Sequence, residues 1–193
     1  ALLSRSLGEK NQEMVDKAAN TGIFLSLCSF AVFALVGVFF SPTFFELQAG
    51  GEEIIVEYGV DYASICLGLS IGIFCQFCFE RLLQSTGRTT LAMITQLTGA
   101  VINIIMDPIL IFGYFGFPRL EVAGAAIATV MGQIVAAAMA MFMNFKFNHE
   151  VHIRLREIRL DRQVAKEIYR VGFPSIVMQS IGSVMVFGMN KIL

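Results

Sequence analysis

Residues 91–113, LAMITQLTGAVINIIMDPILIFG, constrain this chain more than any other stretch: a long apolar run with one acid, Asp107, directly before Pro108. About 20 mostly apolar residues carry an α-helix across a bilayer, and this run has that length. At helical spacing Gln96, Gly99, Ala100, Asn103 and Asp107 share one face, while Ile, Leu and Met cover the rest. A carboxylate in hydrocarbon costs about 3 kcal/mol or more, so Asp107 must face protein, water or a bound ion. Pro108 lacks an N–H and crowds the carbonyl of Ile104, which weakens the helical ladder beside the acid. An acid at a helix end that snorkels to the headgroups is the alternative. The polar stripe favours an ion or proton site.

Composition agrees with a membrane chain. Hydrophobic residues make up 56% and charged residues 15%, against roughly 25% charged in soluble domains, and the mean hydropathy is +0.71. The net charge of −1 decides nothing about nucleic acid. Cys28, Cys66, Cys75 and Cys78 all lie in apolar runs. Cys75-Gln-Phe-Cys78 has metal-like spacing but no second Cys/His pair, so it reads as packing. His149 and His152 flank a loop and offer at most a weak surface site, so no metal site is expected beyond Na⁺ at Asp107. The chain opens ALLSRSLGEK without an initiator Met or a signal-peptide layout and stops inside an apolar run. It is expected to be part of a longer polypeptide, whose remainder is its first partner.

In order, residues 1–20 read as a polar loop leading into a helix, and 21–41 as a first span ended by Pro42. Residues 42–57 form a polar connection with Gly50-Gly51 and four glutamates. Residues 58–83 are a second span, in which Ser64, Gly68, Gly72, Gln76 and Glu80 recur every fourth position as a packing seam. A turn at 84–90 leads to the Asp107 helix, and 114–121 is a further turn. The fourth span, 122–145, carries the small-residue row Gly124, Ala128, Gly132 and Ala136, with Thr129 and Gln133 beside it. Interhelical hydrogen bonding, worth about 0.6 kcal/mol, explains those two polar residues as well as ligand contact does. Residues 146–170 are a basic connection whose Val164, Ile168 and Val171 suggest an amphipathic helix at the membrane surface. Residues 171–193 begin a fifth span, with Pro174 in its first turn and Ser175, Gln179 and Ser183 as a polar stripe.

The fold class is therefore all-α, a polytopic membrane helix bundle with about five transmembrane helices. The connections at 1–20, 84–90 and 146–170 share one side, and with Arg81 at their border they hold Arg5, Lys10, Lys17, Arg81, Arg88 and seven more cations from Lys146 to Arg170. The opposite connections hold only Arg119. The positive-inside rule makes the basic side cytoplasmic. Acids interspersed in 146–170, and a span on each side of it, argue against nucleic acid. No Gly-x-Ser-x-Gly, phosphate-binding Gly-x-x-x-x-Gly-Lys or His-Glu-x-x-His motif is present. Glu80 and Asp107 sit toward opposite membrane faces, so they cannot form a protease pair, and an enzyme is not expected.

Glu80-Arg-Leu-Leu-Gln-Ser-Thr-Gly-Arg88, Asn103-x-x-x-Asp107-Pro108-Ile-Leu-Ile-Phe-Gly113 and Gly124-Ala-Ala-Ile-Ala-Thr129 resemble the multidrug and toxic compound extrusion (MATE) family, of the MOP flippase superfamily. The opening Ser4-Arg5-Ser-Leu-Gly8-Glu-Lys-Asn11 and Gly172-Phe-Pro174-Ser are similar to it as well, so the resemblance spans nearly the whole chain. It implies a plasma-membrane multi-pass exporter with two six-helix lobes around a central cavity. Residues 1–145 would supply helices three to six of the N-lobe, 146–170 the cytoplasmic inter-lobe linker, and 171–193 the start of helix seven in the C-lobe.

The same resemblance implies cation-coupled (Na⁺ or H⁺) efflux of small amphipathic or cationic compounds by alternating access. It assigns Asp107, Asn103 and Thr129 to a first-lobe cation or proton site, Thr129 depending on the length of the turn before it. Gln96, Gln133 and Gln179 are further polar residues for the cavity or for packing. No cofactor is expected beyond the coupling ion. The alternatives are a lipid-linked oligosaccharide flippase of the same superfamily, which would need a more cationic cavity, and a non-transporting scaffold whose polar stripes are packing glue.

Overall fold

A computed structural model describes residues 2–48, 53–116, 118–153, 158 and 160–192. Seven α-helices run in the order α1 (Leu2–Gly8), α2 (Gln12–Gln48), α3 (Glu53–Gly68), α4 (Ile71–Ser85), α5 (Thr89–Phe112), α6 (Glu121–Phe147) and α7 (Arg162–Ile192), with no strand among the described residues. Three stretches are long and apolar enough to cross a membrane, Gln12–Gly37, Thr89–Phe112 and Glu121–Phe147, and the bent pair Val56–Gly68 and Ile71–Ser85 makes a fourth. The fifth expected span is the outer part of α7, where Ser175, Gln179 and Ser183 dilute the apolar run. α6 is the centre of the bundle: it packs on α5, α4 and α3, while α2 lies against α3 and α4.

Several boundaries differ from the sequence reading, each for a local reason. The polar stretch at 1–20 is helical, because ion pairs at i,i+4 line it: Arg5 Nε to Glu9 Oε1 at 2.8 Å and Lys17 Nζ to Glu13 Oε1 at 2.6 Å. Asn11 caps α2, its Oδ1 accepting from the Met14 N–H at 3.1 Å. Pro42 does not end the first span; α2 continues through it to Gln48. A proline removes one ladder bond, and in an otherwise unbroken apolar segment the flanking bonds still hold the helix. The Gly50-Gly51 doublet lies outside the described residues.

The second span is broken. α3 and α4 meet at 47° across Leu69-Ser70, between Gly68 and Gly72, where helical entropy is most costly. The Ser70 hydroxyl donates to the Leu67 carbonyl at 2.7 Å, and the amides of Ser70 and Gly72 donate to Leu67 and Leu69 at 3.3 and 3.4 Å. These i→i−3 bonds replace the α-ladder for one turn. The four-residue seam is thereby cut, and only Gly72, Gln76 and Glu80 continue it on α4.

Among the described residues, the connection at 146–170 forms no helix separate from α7. α7 starts at Arg162 and runs through Pro174 into the fifth apolar run, while Arg154, Arg156 and Arg159 lie outside the described residues. Val151 joins Leu3, Val15, Ala19, Ile23, Phe79, Leu82 and Ala140 in a core that closes the basic end of the bundle. Polar ties dock the connection there: the Gln12 amide donates to the Glu150 carbonyl at 2.8 Å, and the His152 N–H donates to Asp16 Oδ1 at 2.9 Å. Cys75 and Cys78 pack against this core as free thiols, as their apolar settings suggested. At the other end the turn before α6 is closed by the Leu120 N–H donating to the Leu110 carbonyl at 3.0 Å. There the Tyr58 hydroxyl donates to Glu121 Oε2 at 2.6 Å.

Candidate functional site

The site is set by how closely α5 and α6 approach. A Cβ built on Gly132 would meet the Gly99 carbonyl oxygen at 2.7 Å, and one on Gly124 would meet the Leu110 carbonyl oxygen at 2.6 Å. Only glycine permits backbone contact at these two points, which lie on either side of Asn103 and Asp107 along α5. Between them the two polar stripes face one another.

Asn103 bridges the acid and the hydroxyl. With its amide nitrogen toward the carboxylate, it donates to Asp107 Oδ2 at 3.3 Å, and its oxygen accepts from Thr129 Oγ1 and the Thr129 N–H, both at 3.3 Å. The opposite amide orientation also touches both, at 3.5 Å to Asp107 Oδ1 and 3.3 Å to Thr129 Oγ1. The Thr129 hydroxyl has one proton and a closer acceptor in the Ala125 carbonyl at 2.9 Å; when it donates there, the Asn103 oxygen keeps the Thr129 N–H. The contacts to Asn103 sit at the long edge of hydrogen-bonding distance. All three residues are half-buried, so their oxygens can turn to a small cation.

α5 continues helical through Pro108 and ends at Gly113, whose φ of 76° is the left-handed cap that glycine favours. A cavity of about 250 Å³ opens beside the site between α4, α5 and α6, lined among others by Gln76, Gln96, Asn103, Thr129 and Gln133. Of the six residues singled out from sequence, Asp107, Asn103 and Thr129 meet directly. Gln133 lines the adjoining cavity. Gln96 also lines it, but its amide donates to Glu80 Oε2 at 2.8 Å. Gln179 is exposed on α7 beside Ser175 and Ser183 and does not join the cluster.

One residue escaped the sequence reading, and another was read there only as part of a packing seam. Tyr62 on α3 lies beside Thr129 and Cys66; nothing in its spacing announces this, since it depends on how α3 packs on α6. Glu80 is wholly buried within the bundle, and its Gln76–Glu80 spacing was the available signal.

The family model described as MatE matches residues 1–109, more than half of the chain. Among curated relatives, the chain is 27% identical over 179 residues to the "Probable multidrug resistance protein YoeA" of Bacillus subtilis and 28% identical over 175 residues to the "Probable multidrug resistance protein NorM" of Thermotoga maritima. Those alignments take in 91% of this chain but only 38% and 37% of the relatives. A solved outward-facing conformation of a multidrug resistance MATE family transporter superposes with a TM-score of 0.88 at 27% identity, covering 98% of this chain and 41% of that one. An inward-facing conformation of such a transporter gives 0.81 over 90% of this chain and 39% of that one.

Proposed function

Because the chain belongs to the MatE family, we propose that it forms part of a multi-pass plasma-membrane exporter of small amphipathic or cationic compounds, driven by counterflow of Na⁺ or H⁺. In this reading residues 1–145 supply helices three to six of the N-lobe, 146–170 are the cytoplasmic linker and 171–193 begin the C-lobe. The activity is transport rather than enzymatic conversion.

One observation carries the coupling: a half-buried acid toward the outer end of α5 is held with an amide and a hydroxyl at an α5–α6 contact that only glycines allow. A carboxylate at membrane depth is costly when bare, so an ion or proton from outside gains a favourable site there. Na⁺ would take oxygens from Asp107, Asn103 and Thr129 in place of part of its hydration shell; a proton would sit on Asp107 and be shared toward Asn103. Either neutralises the acid. Neutralisation favours whichever packing of α5 on α6 leaves Asp107 without water, and that bias is what alternating access requires. Coupling works only if the ion binds the two states with different affinity.

The test is efflux of a fluorescent organic cation from everted vesicles containing the full-length transporter, with Na⁺ and pH gradients imposed separately. One gradient should drive wild-type transport, and Asp107→Asn should abolish that drive at unchanged expression. Equal gradient-driven transport in both would remove Asp107 from the mechanism.

A further inference from the structure

The most deeply buried acid in the bundle is not Asp107 but Glu80. Its residue is 1% exposed and its neighbour Thr95 is 0% exposed. Two side-chain amides donate to the carboxylate, Gln76 Nε2 at 2.9 Å to Oε1 and Gln96 Nε2 at 2.8 Å to Oε2, and Thr95 Oγ1 lies 3.1 Å from Oε1 with its one proton divided between Glu80 and the closer Ala92 carbonyl at 2.7 Å. Among the described residues no cation pairs with it. Arg81 is exposed and donates to Gln84 Oε1 at 2.7 Å instead, and Arg88 in the following turn forms no ion pair among the described residues. α5 carries no charge other than Asp107, and α6 none between Glu121 and Lys146. On α2, Asp16 is engaged by the His152 N–H and Lys17 by Glu13. The thiols Cys75 and Cys78 pack against the core at this end of α4.

A unit charge at such depth demands more than neutral donors supply. If the role were only to tie α4 to α5, a glutamine would serve without the charge. The surroundings are also ambident. Primary amides present an oxygen as readily as an N–H once turned over, so Gln76, Gln96 and Thr95 can ring a cation with oxygens beside the two of Glu80. The same ring can accept the proton of a neutral carboxyl.

The position adds direction. Gln76 and Gln96 line the cavity of about 250 Å³ that Asn103 and Thr129 line further along. Gln96 and Asn103 are seven residues apart on α5, about 10 Å along the helix, with Glu80 lying toward the basic end. We propose that Glu80 is a second, inner station for the coupling cation, joined to the Asp107 site by this cavity. The proposal rests on the antiport reading above and adds a cation-holding residue to it.

The experiment reads binding alone, in purified full-length protein without drug or gradient: equilibrium binding of radioactive Na⁺, and infrared difference spectra on acidification. Glu80→Gln should lose one bound Na⁺ per molecule, or one protonated-carboxyl band if the cation is H⁺. Asp107→Asn should lose a different one, and the double variant both. Gln96→Ala keeps the carboxylate and should weaken the Glu80 site on the order of ten-fold, the effect of one hydrogen bond to a charged group. Bound Na⁺ and carboxyl bands identical to wild type in Glu80→Gln would overturn the proposal. Should that variant fail to fold, an unchanged affinity in Gln96→Ala would overturn it equally. Failure of the antiport reading would show elsewhere, as wild-type vesicles in which neither gradient drives efflux.

Discussion

Asn103 gives the α5–α6 site its character, because one amide can offer a donor to Asp107 and an acceptor to Thr129 at the same time. Thr129→Val keeps the shape and removes the oxygen, so it should weaken cation binding roughly ten-fold while the melting temperature in detergent stays near wild type. A large fall in that temperature with unchanged ion affinity would mean that Thr129 only packs. The alignment of Asn103 with Asp107 was readable from the chain, being one helical turn, and Thr129 followed from the resemblance. Tyr62 was not readable, since its place beside Thr129 is decided by contacts between α3 and α6. Glu80 was visible as part of a spaced seam, but its burial and its ring of amides depend on α5 lying across α4.

At the scale of elements, the glycines on α6 fix the geometry of the site. The Gly124-Ala128-Gly132-Ala136 row was legible as a close-packing face, and its four residues are buried as expected. What the row could not tell was its partner, α5, which it meets at Gly99 and Leu110. Gly124→Ala should destabilise the protein by roughly 1–3 kcal/mol, as overpacking does, because the obstructing atom is a backbone carbonyl with nowhere to move. Thermal unfolding in detergent measures this, and a melting temperature equal to wild type would show that α6 slides freely on α5. The helix boundaries were less legible. Pro42 and the Gly68–Gly72 region looked like one stop and one continuous span, yet the first is passed through and the second is the break. Proline and glycine exert their effect through neighbouring packing, and a local pattern does not contain that.

At the scale of the whole molecule, charge asymmetry gives the orientation and the apolar exterior gives the setting. Phe115, 91% exposed, lies in the turn opposite the basic side, whereas Thr86 lies in the α4–α5 turn on that side. With the native cysteines replaced by serine, Phe115→Cys should react with a membrane-impermeant maleimide in intact cells, and Thr86→Cys only in everted membranes. The reverse pattern would invert the topology and with it the direction assigned to ion flow. The chain spans under two-fifths of the curated relatives described above, so transport itself is to be measured on the full-length protein.

The most direct measurement of the central claim runs the coupling backwards. Full-length protein is reconstituted in liposomes, a gradient of an organic cation is imposed without any ion gradient, and the movement of Na⁺ or H⁺ is recorded. The account predicts uphill ion movement driven by the drug gradient in wild type and none in Asp107→Asn. Ion movement of equal size in both, or drug flux with no ion moving in wild type, would contradict it.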